Sequence, residues 1–112
     1  MKEIKAYIRQ YRIADVLQAL RDSGLCELGL GARCHNITVA QVLRPLASAD
    51  PSQQHYSTDL AEAVVTEYKL ELVCSDDTVD ALSEIIARVA HTGQPDAGWI
   101  FVSDIQSATE IR

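Results

Sequence analysis

The sequence predicts an α+β sandwich of order β-α-β-β-α-β, a four-stranded antiparallel sheet with two helices on one face. Three observations predict it. Apolar residues alternate with period two around Ile4–Ile8, Tyr68–Cys74 and Trp99–Val102, as strands require. Helical stripes run through 13–20 and 79–89. Each half of the chain then reads strand–helix–strand, and two such halves fold as one split βαβ sandwich. At 112 residues the chain is long enough for one layered core and too short for two.

Ile4, Ala6 and Ile8 alternate with Lys5, Tyr7 and Arg9 as a first strand. Ile13, Val16, Leu17 and Leu20 then fall at i, i+3, i+4 and i+7, one stripe of a helix. Ser23-Gly24 ends that helix, the glycine being free to take the left-handed cap conformation. Leu28, Leu30, Ala32 and Cys34 alternate with Gly29, Gly31 and Arg33 as a second strand, and glycines on one face imply a close approach there.

From 36 to about 63 the regularity fails. Pro45 and Pro51 interrupt it, 47–57 is small and polar, and only 59–64 has helical propensity. So long a connection in a compact domain is a functional or disordered loop, and it is expected to be the mobile part. Tyr68, Leu70, Leu72 and Cys74 make the third strand. Ser75-Asp76-Asp77-Thr78 offers a cap oxygen and acids to a second helix, whose stripe is Val79, Leu82, Ile85, Ile86 and Val89. Thr92 to Gly98 is turn-rich, and Trp99 to Val102 is the last strand. The arrangement is ferredoxin-like. Its last strand is apolar on both sides, Trp99 and Phe101 on one, Ile100 and Val102 on the other with Tyr7 and Val73, so the bare sheet face predicts a subunit interface.

Composition narrows the function. Nearly half of the residues are apolar, no run approaches a membrane span, and the start of the chain lacks a signal-peptide core, so a cytoplasmic protein is expected. A net charge of −6 argues against a nucleic-acid partner. Any phosphate site must then be local, built from backbone N–H groups and a few arginines. Cys26, Cys34 and Cys74 are an odd count without metal spacing, and two of them sit at inward strand positions, where Cys behaves as a small hydrophobe. His35, His55 and His91 form no ligand motif, so no metal site is expected. No catalytic residues are assigned: no hydroxyl sits in a nucleophile elbow, and the glycine-rich cradle an acylphosphatase-like hydrolase needs before Arg12 is absent.

Several segments resemble the PII signal-transduction (nitrogen regulatory PII-like) family. Met1 to Ile8 resembles its opening strand, and Lys69 to Cys74 followed by Asp76 to Asp80 its third strand and second helix. Thr92-Gly93-Gln94-Pro95-Asp96-Ala97-Gly98-Trp99-Ile100-Phe101-Val102 resembles the nucleotide-binding pattern TGxxGDGKIFV, and Ala108 to Arg112 the tail AIRIR. The resemblance implies one PII-like domain over 1–112, a homotrimer with an adenine nucleotide in each inter-subunit cleft, and a long T-loop, here about 36–63, that docks on a partner protein such as a membrane transporter. It implies a nucleotide site of Gly29, Arg33, Glu71, Leu72, Val73, Gly93, Gln94, Pro95, Asp96, Ala97, Gly98, Trp99 and, from a neighbour, Arg112. A regulator rather than an enzyme is expected.

The departures from the family pattern shape the expectation. Trp99 stands where the pattern has the phosphate-contacting Lys, and Glu110 where it has an Arg. Two positive charges are lost, which favours ADP or AMP over ATP as effector. His35-Asn36-Ile37-Thr38-Val39 replaces GFGRQ, so Val39 takes the place of the Gln that helps hold Mg²⁺ and 2-oxoglutarate, and Glu67 takes that of a nearby Lys. 2-Oxoglutarate is therefore not expected, and bicarbonate is one candidate second ligand. The alternative is a structural or metal-handling trimer of the same fold with a vestigial cleft.

Overall fold

A computed structural model of the chain describes residues 1–26, 34–46 and 51–112. Its elements are β1 (Lys2–Arg9), a 3-10 turn (Gln10–Arg12), α1 (Ile13–Asp22), β2 (Cys34–Pro45), a second 3-10 turn (Pro51–Gln53), β3 (Gln54–Ser57), β4 (Glu62–Cys74), α2 (Val79–Val89) and β5 (Trp99–Asp104). The sheet order is β2-β4-β1-β5, with β3 also beside β4, and every pairing is antiparallel. This is the ferredoxin-like α+β fold, with five described strands where four were expected.

The period-two patterns place the core as read. Ile4, Ala6, Ile8, Leu70, Leu72 and Cys74 bury one sheet face beneath Val16 and Leu20 of α1 and Val79, Leu82 and Ile86 of α2. Each large apolar side chain so buried stabilises the fold by about 1.5–3 kcal/mol. α1 ends as its sequence implies. The Ser23 amide donates to Ala19 O at 3.0 Å, and Gly24 takes φ 72°. The start of α2 differs from expectation. Thr78 offers its helix no side-chain cap, because its hydroxyl turns back to donate to Ser75 O at 3.0 Å.

The stretch 36–63 departs most from the reading. Regular strand continues through Pro45 and resumes at Gln54, and 59–64 forms a turn and the start of β4 instead of a helix. The reason is pairing: β2 matches β4 from Thr38↔Glu71 to Pro45↔Val64, and β3 matches it from Gln54↔Val65 to Ser57↔Glu62. These are cross-strand partnerships that local propensity does not report. Asn36 (φ 54°) marks a break in register between His35 and Thr38, and Ala61 (φ 56°) closes the β3–β4 turn. Leu28, Leu30 and Ala32 of the expected second strand, and 47–50 of the expected loop, lie outside the described residues.

The bare sheet face is also corrected in one respect. Tyr7 lies directly opposite Trp99, and Val73 is opposite Glu3, itself opposite Ser103. Opposed residues share a face, so Tyr7 and Val73 join Trp99 and Phe101, not Ile100 and Val102. The rings cluster: Trp99 stacks on Phe101 with centroids 6.2 Å apart, and Tyr7 meets Phe101 edge-on at 6.3 Å.

Where β1 ends and β3 begins along β4, a charged cluster is buried. Arg9 Nη1 donates to Glu67 Oε2 at 2.7 Å, with side chains only 1% and 0% exposed. Arg44 Nη1 donates to Glu67 Oε1 at 3.1 Å from the other side. Removing one member of a buried pair strands the other charge at a cost of about 3–5 kcal/mol. Glu67→Gln is therefore expected to lower the unfolding free energy in urea by about 3 kcal/mol, and Glu67→Lys by more, since it sets a third cation beside two arginines. Equal midpoints for native protein and both variants would refute this role of Glu67.

Candidate functional site

α2 and β5 are joined by the turn at 90–98, and its local chemistry sets its shape. The Ala90 amide donates to Ile86 O at 2.8 Å, closing the helix. Gly93 takes φ 80°, a conformation in which a side chain would be strained. The Gln94 amide then donates to Thr92 Oγ1 at 3.1 Å, and the Ala97 amide reaches Gln94 O at 3.4 Å. Asp96 holds φ 56°, a left-handed conformation that Asp tolerates better than most residues. Within 93–98, with those two amides engaged and Pro95 having none, Gly93, Asp96 and Gly98 supply the remaining N–H groups.

Beneath this turn is a cavity of about 350 Å³. Its floor is apolar: Ala6 and Ile8 of β1, Ile86 of α2 with Ala90 at the helix's C-cap, and Ile100 of β5. Its rim is polar, from His91, Thr92, Gln94 and Asp96, with Trp99 at the sheet edge. Among the described residues, no Lys or Arg lines it. Gln94 Oε1 is buried and lacks a hydrogen-bond partner among the described residues. A buried acceptor left unpaired is costly, so the cavity suits a ligand that brings an N–H or O–H donor to this oxygen and an apolar face to the floor.

The chain thus brings Gly93, Gln94, Asp96, Ala97, Gly98 and Trp99 to one cavity, with Pro95 in the same turn. The other expected site residues lie elsewhere in a single chain. Leu72 is fully buried in the core, and Glu71 faces away from the cavity in β4 and pairs with Lys69 at 3.2 Å. Val73 lies opposite Glu3. Arg112 is exposed and pairs with Glu110 at 3.4 Å. Gly29 and Arg33 are outside the described residues. Sequence reasoning missed the cavity's other walls, Ala6–Ile8 and the end of α2. One signal was available: Ala87 and Ala90, one helical turn apart, leave room on the helix face that looks toward the turn.

Gly98 has a packing role of its own. A Cβ at this position would stand 3.0 Å from the Tyr7 carbonyl oxygen, so only glycine lets the turn enter β5 against β1 without displacing backbone.

The sequence profile of the family described as "Nitrogen regulatory protein P-II" matches residues 1–112. The chain is 29% identical over 112 residues to the nitrogen regulatory protein P-II of Porphyra purpurea, covering all of this chain and 92% of that protein. It is 30% identical over 112 residues to nitrogen regulatory protein P-II 2 of Methanothermobacter thermautotrophicus, covering 90% of that protein. To the P-II protein of Klebsiella oxytoca it is 29% identical, with 92% of that protein covered. The profile match along its whole length, on a fold that carries the Thr92–Gly98 turn between second helix and last strand, places the chain in the Nitrogen regulatory protein P-II family of regulators.

Proposed function

We propose that this protein is a cytoplasmic sensor that binds an adenine nucleotide at the 92–98 turn and controls a partner protein through the β2–β4 hairpin. The observation that carries the reading is the cavity under the turn, with its apolar floor and, among the described residues, no partner for Gln94 Oε1 and no Lys or Arg in its lining. An adenine ring brings both a flat apolar face and an exocyclic N–H donor. Without a Lys at the turn, a third phosphate finds no charge-assisted contact there, so ADP or AMP is preferred to ATP. The exposed Trp99 and Phe101, with half-buried Tyr7 beside them, would be covered in a homotrimer whose sheets face inward, which would also bring a neighbour's Arg112 toward the cleft. Gly29, Arg33, Glu71, Leu72 and Val73 belong to the same proposed inter-subunit site. Bicarbonate is the proposed second ligand, a membrane transporter the proposed partner class, and no catalytic step is assigned.

One observation favours the second reading, a trimer of structural or metal-handling role whose cleft is vestigial. The contact of Gly98 with the Tyr7 carbonyl explains that glycine by packing alone. Substitution at Gly98 therefore disturbs the fold under either reading, and Gln94 is the better discriminator.

Titration calorimetry with AMP, ADP and ATP, with and without bicarbonate, tests the proposal. Binding of ADP or AMP at least as tight as ATP is expected, and Gln94→Leu should weaken it about tenfold, the worth of one buried hydrogen bond. Silence for all three nucleotides, with the trimer intact by light scattering, would hand the case to the vestigial reading. A second prediction concerns charge: Trp99→Lys should improve ATP affinity about tenfold relative to AMP, since a bond to a charged group is worth about 1.5–3 kcal/mol. An unchanged ATP-to-AMP ratio would show that the phosphates do not lie near residue 99.

A further inference from the structure

The spacing of the three cysteines along the chain pairs none of them, yet they meet at one end of the sheet. Cys26, just after α1, and Cys34, the first residue of β2, are joined as a disulfide. Cys74, the last residue of β4, is a free and buried thiol. It lies directly opposite Cys34 in the β2–β4 register, and both side chains belong to the core beneath the helices. Directly opposed residues of an antiparallel pair have Cα atoms about 4.5 or 5.5 Å apart. Both spacings fall within the span of about 4.4–6.8 Å that a disulfide accepts. One sulfur, that of Cys34, therefore stands between two partners.

We propose that Cys34 is the shared member of a thiol–disulfide switch, bonded to Cys26 in one state and to Cys74 in the other. The exchange balances within the chain. Cys74 gives up its proton and its thiolate attacks Cys34 Sγ. The Cys34–Cys74 bond forms as the Cys26–Cys34 bond breaks, and Cys26 leaves as a thiolate that takes up a proton. A dithiol reductant resets either state by becoming oxidised itself.

Three features fit this chemistry. The register break between His35 and Thr38 separates the Cys34 end of β2 from the rest of its ladder, so that end can shift without dismantling the sheet. Burial pushes the Cys74 thiol up from its ordinary range, with the Thr78 hydroxyl opposing the shift, so attack awaits an opening of this sheet end. The Cys34–Cys74 bond also closes a much longer stretch of chain than the separation of eight between Cys26 and Cys34. That gives it the larger chain-entropy advantage in the cross-link model. The switch goes beyond the nucleotide reading and stands without it. Its two states differ in whether the ends of segment 27–33, which contains Gly29 and Arg33, are tied together.

The test needs no ligand. Full-length protein is oxidised with glutathione disulfide, pulsed with iodoacetamide under native conditions, then denatured, blocked with N-ethylmaleimide and mapped by proteolysis and mass spectrometry. Two products are expected: a Cys34–Cys74 linked peptide, and iodoacetamide on Cys26, the more exposed of the three. Both should vanish in Cys74→Ser, while Cys26→Ser should yield the Cys34–Cys74 link alone, with circular dichroism checking the fold of each variant. If the native chain shows no Cys34–Cys74 link at any ratio of reduced to oxidised glutathione, the proposal is overturned. Should a variant fail to fold, the native chain's own linked peptide still decides.

Discussion

The strand the rest depends on is β4. Its thirteen residues, Glu62–Cys74, exceed what β1 can match. β2 lies along one side through most of that length, while β1 and β3 share the other end to end, β1 from Cys74 to Glu67 and β3 from Val65 to Glu62. A shared edge leaves a seam where two strand ends meet, and backbone and side-chain polar groups at a seam need partners. Here the seam holds Arg9, the last residue of β1, against Glu67, with Arg44 of β2 completing the cluster. Such buried ionic groups add little net stability over apolar packing, but they penalise every register in which they fail to meet. That penalty suits a seam, where a one-residue slip of β4 would otherwise exchange its faces.

The same cluster constrains what position 67 can carry. A lysine there would face Arg9 and Arg44 with like charge, whereas Glu67 accepts from both guanidinium groups. Val39, on the neighbouring strand, lies opposite Leu70. Its hydrocarbon side chain offers no donor or acceptor of its own.

Much of the fold was legible because its signals are local and periodic. The alternation of Ile4, Ala6 and Ile8 and the stripe of Leu82 and Ile86 identify buried faces without reference to any other part of the chain. The hairpin of β2, β3 and β4 was not legible, because Pro45, Pro51 and the small polar residues between them carry no periodicity, and its order comes from pairing with β4. Trp99 was ambiguous for a related reason: a strand aromatic can face a ligand or a neighbour. Its stacking on Phe101 uses one face of the indole for packing, although the residue also borders the cavity. Glu71, Leu72 and Val73 were assigned by resemblance, which carries positions without contacts: in the single chain Leu72 is core and Glu71 pairs with Lys69. The cysteine cluster was hidden because spacing along the chain says nothing of register across it.

The end of β1 connects the cavity with the hairpin. Tyr7 O receives Gly98 in close contact, Ile8 forms part of the cavity floor, and Arg9 grips Glu67 at the seam. Three consecutive residues thus touch the 92–98 turn on one side and the root of the β2–β4 hairpin on the other. Because packed interiors are close to incompressible, a ligand that shifts the turn against Tyr7 must either move Arg9 or strain β1 between them. Contiguity alone does not make this an allosteric path; the ligand must bind two positions of the β1 end with unequal affinity, and the hairpin can then gain no more bias than that difference. The ion cluster would bound the size of any such shift. A hairpin held against β1 only by apolar contact could slide by degrees, whereas one anchored through Glu67 either keeps its bond to Arg9 or loses it, which favours two discrete positions over a continuum.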